Sequence, residues 1–255
     1  MKVIMPSLTI ELVGGLGNQL FKMAALFHIA KQTGRTPCIK NLTNPSPHSK
    51  ESYFDTIFAS FANLYSVLHP TIRLVEPTMS YTNWSNIVRF HMNAEIDGYF
   101  QDYRYVDEDF VQRLRFPTGI VTKYPGVYDA VFLHIRGGDY VNHWLHDLGL
   151  DEYYKRAIAH FPGAHFYVVT NDLGYALSRP FLEGIKFTVI MEPELDTLFL
   201  MSQCAGGICA NSSFSWWGAF LNHTRKIVMP DRWYTDPNIP TEGYYFPGVI
   251  KCQVS

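Results

Sequence analysis

The sequence predicts an α/β protein of two domains, each built on a parallel sheet and facing a cleft. Two observations carry that expectation. From Val127 onward, short apolar runs alternate with helix-length amphipathic runs, the order that builds a parallel sheet. The N-terminal part opens with the same sequence of strand, glycine turn and helix. The boundary is expected within 119–126, which holds two Gly and one Pro. This gives domains 1–122 and 123–255.

In chain order, Leu8 to Val13 roughly alternates and ends at Gly14-Gly15, which reads as a strand. The next stretch puts Leu20, Met23, Ala24, Phe27 and Ala30 on one helical face, and Gly34 stops it. NPSPHSKES at 44–52 reads as a loop and 53–65 as a short helix. The aromatic and polar middle sets no clear boundaries until GYFQDYRY at 98–105. Beyond Val127, strands are expected at 130–135, 165–170, 186–191, 206–210 and 226–230. Helices are expected at 150–161, at 195–205 with Asp196 as a candidate N-cap, and from 213. There is no internal repeat and no low-complexity tract.

Composition narrows the function. Hydrophobic residues make up 47% and charged residues 17%, too apolar for a disordered chain. A net charge of −2 without a Lys/Arg-rich run argues against a nucleic-acid face, although one well-placed arginine can still serve a diphosphate. No apolar stretch approaches a membrane span, and the first residues lack the apolar segment of a secretory signal. Cys38, Cys204, Cys209 and Cys252 match no zinc or redox spacing and read as reduced thiols. Asn41, Asn83, Asn211 and Asn222 each begin a glycosylation sequon. A glycan on Asn211 would sit within a polar loop of evident importance, so a cytoplasmic location with silent sequons is expected.

The chemistry gathers where strands end. Arg136 follows apolar VFLHI and precedes two glycines; its fixed fork of donors suits a diphosphate, or it forms a structural ion pair with Asp139. Asn171 and Asp172 end the next strand, where they can bind ligand hydroxyls or start a helix. Asp196 reads as an N-cap or as a carboxylate for a base. In CANSSFSWWGAF at 209–220, Asn211, Ser212, Ser213 and Ser215 stand where a strand meets a helix, so hydroxyls and N–H groups can converge on phosphate oxygens. Trp216 and Trp217 would anchor the helix, one of them alternatively walling a sugar pocket, and Gly218 would allow close packing. The turn at Gly14, Gly15 and Gly17 is neither a dinucleotide nor a P-loop spacing; Asn18 and Gln19 there suit hydroxyl-rich ligands or a cap. His28 reads as structural. The only D-x-D, Asp107 to Asp109, reads as a solvated helix start, and His134, His143 and His146 lack companions for a metal site. No metal is expected.

Taken together, ELVGGLGNQLFKMAALFHIA at 11–30, DGYFQDYRY at 97–105, FLHIRGGDYV at 132–141, YVVTND at 167–172 and CANSSFSWWGAFLN at 209–222 resemble the α-1,2-fucosyltransferases of glycosyltransferase family 11. The resemblance implies a GT-B-like fold and transfer of L-fucose from GDP-β-L-fucose, with inversion, to O2 of a terminal galactose-type glycan. It implies that Arg136 holds the departing β-phosphate, with Asp139 beside it as orienter or base. His134, Asn171, Asp172, Asn211, Ser212, Ser213, Phe214 and Ser215 fall to the donor site, Asp196 to guanine, and Gly15, Asn18 and Gln19 to the cleft or acceptor. The sequence departs from the family where H-x-R-R-G-D becomes His134-Ile135-Arg136-Gly137-Gly138-Asp139, one positive charge fewer, and where Thr-Asp-Asp becomes Thr170-Asn171-Asp172. The implied partners are a GDP-sugar and a glycan, without nucleic acid or cofactor. Another GDP-sugar as donor, or a noncatalytic binding module on the same scaffold, are the alternative readings.

Overall fold

A computed structural model describes residues 5–40, 52–65, 70–222 and 225–254. The loop expected at 44–52 and the Asn41 sequon lie outside these apart from Ser52. The chain forms two compact units, the first comprising residues up to Phe116 together with Glu242–Tyr244, the second Pro117–Thr241 and the residues from Tyr245.

The first unit runs β1 (Ser7–Ile10), α1 (Leu16–Thr33), β2 (Thr36–Ile39), β3 (Ile72–Val75), α2 (Ser85–Val88), β4 (Asn93–Asp97) and α3 (Glu108–Gln112). Its sheet has the order β2-β1-β4-β3, and every pairing is parallel. Gly34 ends α1 at φ 63, the left-handed cap that glycine adopts without steric cost. Helix α1 is buried on nearly all sides rather than on one stripe: Phe21, Lys22, Ala25 and Leu26 are buried along with Leu20, Met23 and Ala24. Arg35, at the turn after α1, is buried and donates to the carbonyls of Ser7, Val88, His91 and Met92. One guanidinium thus ties the start of β1 to the segment entering β4. Strands β2, β3 and β4 escape the sequence pattern because Pro37, Arg73 and Glu95 interrupt their short apolar runs.

The second unit runs β5 (Ala130–Ile135), α4 (Asp151–Ile158), β6 (His165–Thr170), α5 (Leu173–Leu177), β7 (Lys186–Ile190), α6 (Glu194–Gln203), β8 (Gly206–Ile208), α7 (Ser213–Phe220), β9 (Lys226–Pro230) and β10 (Ile250–Cys252). The sheet order is β10-β9-β8-β5-β6-β7, again all parallel. All six residues of β5 are buried, as a central strand covered on both faces requires. Its side chains join Tyr153, Phe166, Val168, Ile208 and Val228 in the core. The α/β class with two parallel-sheet regions expected from sequence is the one observed.

Several local readings agree. All four cysteines are free and buried. Gly218 brings α7 against α6, since a Cβ there would lie 2.5 Å from Met201 Cε and 2.9 Å from its Cβ. Among the described residues no helix is long and apolar enough to cross a membrane.

Gly207 lets β8 pack closely against β5 in the second sheet. A Cβ at that position would overlap the buried ring of Phe132. Gly207→Ala is expected to cost about 1–3 kcal/mol, the usual range for overpacking a core. Denaturant unfolding would measure this, and an unchanged midpoint would show that the ring yields freely.

Candidate functional site

Ile135 pairs with Thr170 and Leu133 with Ile208, so the segments leaving β5, β6 and β8 emerge side by side at one sheet edge. Residues Arg136 to Asp139, Asn171-Asp172 and Asn211 to Ser215 are therefore brought together. Ligands in parallel α/β sheets sit beyond this edge.

Arg136 is the first residue past β5, and its side chain is only 12% exposed. Its Nη2 donates to Asp139 Oδ1 at 2.8 Å and Oδ2 at 3.0 Å. The guanidinium lies 4.9 Å from the ring centre of Tyr140, within cation–π range. Its Nε is buried and has no partner among the described residues. Asp139 thus touches the arginine through both oxygens, the ion pair that was one of the two sequence readings. An ion pair leaves Nη1 and Nε for an anion, so the two readings are compatible.

The loop carrying Arg136 is closed by the neighbouring strand end. Asn171 Oδ1 accepts from Gly137 N at 3.0 Å, and Asp172 Oδ2 accepts from Gly138 N at 3.2 Å. Asp172 Oδ1 accepts from Tyr175 N and so caps α5. Both glycines are needed: a Cβ on Gly137 would meet Tyr175 Cδ1 at 2.8 Å, and Gly138 has φ 56. Asn171 and Asp172 therefore shape the arginine loop and start the helix.

His134 is buried inside β5, with its ring centre 5.9 Å from that of Phe214. Burial, and secondarily the Arg136 charge, push its pKa down to about 3. The ring is neutral at working pH. Beside Arg136 lies a shallow pocket lined by Tyr140, His146, Tyr154, Tyr175 and Asn211 among others. Tyr140 stacks on His146 with ring centres 4.6 Å apart. The tyrosines were missed from sequence; the only signal was Tyr140 directly after the GGD turn.

The Asn211–Ser215 segment divides into inward and outward groups. Asn211 is buried, and its Nδ2 donates to the carbonyls of His146 and Trp233, each at 3.0 Å. A glycan has no room at that nitrogen in the folded chain. Asn222 is likewise buried, donating to Met201 O and Cys204 O. Ser215 is buried, and its Oγ lies 3.2 Å from both Ala210 O and Ser212 O, so its hydroxyl turns into the turn rather than toward a ligand. Trp216 and Trp217 are wholly buried; neither walls a sugar pocket, and the anchoring role is the one observed. Ser212 is the N-cap of α7 in extended conformation, without a side-chain cap bond. The first α7 donor to reach back within the helix is Trp216, to Ser212 O. The N–H groups of Ser213, Phe214 and Ser215 precede it and are the ones a helix start presents to anions.

Asp196 requires a correction. The N-cap of α6 is Pro193, because Thr197 N already reaches back to Pro193 O at 2.9 Å. Asp196 is then the third helical residue, where its charge meets the positive helix end. Burial, then the charge of Glu192, raises its pKa. In the first unit, Gly15 is the N-cap of α1. Gln19 is buried and donates to Gly14 O at 2.8 Å, a structural tie. Asn18 Oδ1 accepts from Gln101 Nε2 at 2.8 Å. Asp107 is the N-cap of α3 and contacts His28 at 3.2 Å, and Asp109 pairs with Lys31 at 2.9 Å. The D-x-D is thus a helix start bound to α1, and His28 is structural. Among the described residues no group of three His, Cys, Asp or Glu is placed to hold a metal ion.

Comparison with known proteins gives these residues a context. The model of "Glycosyl transferase family 11" matches residues 121–248. The chain is 32% identical to the O-antigen biosynthesis glycosyltransferase WbnK of Escherichia coli over 42% of this chain and 39% of that one. It is 27% identical to an alpha-1,2-colitosyltransferase of Escherichia coli over 88% of this chain and 91% of that one. It is also 27% identical to galactoside alpha-(1,2)-fucosyltransferase 2 of Bos taurus, over 91% and 73%. A FUT1 variant of Arabidopsis thaliana solved with GDP shares the fold at TM-score 0.51 and 15% identity, over 97% of this chain and 73% of that one.

The buried imidazole of His134 supplies a pH test. Its depressed pKa means that, as pH falls below the ordinary value of 6.5, the unfolded chain takes up a proton that the folded chain refuses. Its contribution to stability is whole above pH 6.5 and is lost progressively toward pH 3. NMR of the labelled imidazole is expected to show no titration between pH 5 and 8. A midpoint near 6.5 would mean that the site is wetter than its packing indicates.

Proposed function

Because the chain belongs to glycosyl transferase family 11, we propose that it transfers L-fucose from GDP-β-L-fucose to O2 of a terminal galactose-type glycan, with inversion. Residues 123–255 hold the donor and 1–122 the acceptor side. The acceptor hydroxyl attacks the anomeric carbon as GDP leaves from the opposite face. Negative charge grows on the β-phosphate as the bond breaks. Arg136 meets it with a permanent cation, and the N–H groups of Ser213 to Ser215 add the positive end of α7. The hydroxyls of Ser212 and Ser213 complete the cradle, and Asp139 holds the guanidinium in register. Asp196, on the first turn of α6, takes the guanine N–H groups. With the D-x-D carboxylates already paired to α1, charge neutralisation falls to these side chains and amides, and turnover needs no divalent ion.

The observation that carries this reading is Arg136, nearly buried at the end of the central strand with its Nε still unpartnered. Names of relatives support the donor class and the linkage: a bovine galactoside alpha-(1,2)-fucosyltransferase and a bacterial alpha-1,2-colitosyltransferase. The second of these keeps a different GDP-linked sugar open as donor.

Purified protein given a panel of GDP-sugars and galactose-terminated acceptors in EDTA is expected to use GDP-fucose best, with linkage analysis placing fucose on O2. Rescue of dead enzyme by Mg²⁺ or Mn²⁺ would refute the metal-free step. Arg136→Ala is expected to lose about 3–5 kcal/mol of transition-state stabilisation, roughly 100–5000-fold, chiefly in kcat. Arg136→Lys, which keeps charge but not the fork, falls between. A folded Arg136→Ala protein with near-native kcat would leave the arginine a purely structural role. Asp196→Ala is expected to weaken GDP binding by about 1.5–3 kcal/mol with little effect on UDP, and calorimetry with both nucleotides would read the difference.

A further inference from the structure

The segment 97–105 packs against a carboxylate that no sequence pattern singles out. Val75 pairs with Asp97 and Ile10 with Ile96, so the residues following β3, β4 and β1 leave that sheet side by side. Glu76 is one of them. Its Oε2 accepts from Tyr99 N and Phe100 N, each at 3.0 Å. Gly98 makes the room, since a Cβ there would lie 2.5 Å from that oxygen. Phe100 has φ 52, an uncommon value for an aromatic residue. Oε1 has no hydrogen-bond partner among the described residues.

Lys22 stands nearby on α1. It is buried to 3% exposure, yet its ammonium makes no hydrogen bond or ion pair among the described residues. Burial lowers its pKa, against the charges of Asp97, Glu11 and Glu76; Arg73 adds to the lowering. The ammonium lies 5.8 Å from the centre of the Tyr99 ring, within cation–π range, and keeps its N–H donors for a ligand. Gln101, next in the chain after Phe100, is fixed at both ends, donating to Asn18 Oδ1 at 2.8 Å and accepting from Tyr244 Oη at 2.6 Å.

We propose that Glu76 and Lys22 form the binding site for the hydroxyl of a sugar acceptor, with Glu76 as the base that removes its proton. A hydroxyl is both donor and acceptor. Its oxygen accepts from the Lys22 ammonium while its hydrogen points to Glu76 Oε1. In the transfer, the O–H bond breaks toward Glu76 and the oxygen's electron pair forms the bond to the anomeric carbon. The bond from that carbon to phosphate breaks, and its electrons leave on GDP. The charges suit the task. Burial raises the Glu76 carboxyl to about 7, opposed by the Phe100 and Tyr99 amides and by Lys22, and reinforced by Asp102. The Tyr105 phenol accepts from Thr82 N and Trp84 Nε1, and its pKa is raised chiefly by burial and in lesser part by the Glu76 charge. A base poised near neutrality is well matched to proton transfer at working pH.

This inference rests on the transfer reaction proposed above, and the test separates the two. Transfer to lactose, N-acetyllactosamine and methyl β-galactoside is followed against pH for wild type, Glu76→Gln, Glu76→Asp and Lys22→Met, with GDP affinity and thermal unfolding measured in parallel. In wild type, kcat/KM is expected to rise with pH through a midpoint near 7. Glu76→Gln keeps an acceptor for the two amides, and is expected to lose that limb and about 100–10,000-fold in kcat while binding GDP as wild type does. Glu76→Asp retains the limb. Lys22→Met removes the cation that favours the carboxylate, and so moves the midpoint up. Folded Glu76→Gln protein with near-native kcat and an unchanged limb would overturn the assignment while leaving the transfer reaction standing. A wild type that binds no GDP and transfers to none of the three acceptors would overturn both. One that binds GDP but uses none of the three would overturn the acceptor class and the base with it.

Discussion

One charge organises the second unit. Arg136 must keep its proton, yet it stands at the end of a strand buried along its whole length and is itself nearly enclosed. A lone guanidinium there would be expensive to desolvate, so its surroundings are arranged around it. Asp139 meets it through two oxygens, Tyr140 offers a ring face, and the two glycines fold the chain sharply enough for Asn171 and Asp172 to hold the turn by its amides. The depressed basicity of His134 follows partly from the same charge. What is left of the guanidinium's donor capacity is what an anion can use.

The two units carry different charge arrangements beyond their sheets. Beyond the sheet of the second unit the arrangement is cationic, with an arginine and a helix start. Beyond the sheet of the first it is mixed, with a carboxylate of raised pKa, a buried lysine and a glutamine fixed at both ends. A departing diphosphate needs permanent positive charge; a reacting hydroxyl needs a group that can gain a proton and one that steadies the oxygen. The division suits the transfer proposed above, in which one partner accumulates charge and the other sheds a proton.

Sequence exposed the second unit more fully than the first for a physical reason. Its strands β5, β6 and β9 are five or six residues of near-continuous apolar character, and α4, α6 and α7 run to eight residues or more, so periodicity and length agree. In the first unit β2, β3 and β4 carry Pro37, Arg73 and Glu95 within them, and α2 spans only four residues. Arg136, Asn171 and the serine-rich turn were visible because polar residues interrupt an apolar run at a strand end. Which atoms they offer was not. Ser215 and Asn211 look like ligand groups in sequence and are spent on backbone carbonyls, while Asp196 looks like a cap and is not one. Glu76 could not be found at all, because its significance lies in the amides of Tyr99 and Phe100, which reach it across the sheet edge.

The three residues Glu242–Tyr244 group with the first unit although the chain on both sides of them belongs to the second. Their place is fixed by side-chain scale contacts: Gly243 lies so close to Asp102 that a Cβ would not fit, and Tyr244 donates to Gln101. Modular exchange between relatives is constrained accordingly. A single crossover after Phe116 would join one parent's Gln101 and Asp102 to the other parent's tyrosine and glycine, so recombinants that inherit 242–244 together with the N-terminal segment are the ones that keep this junction intact.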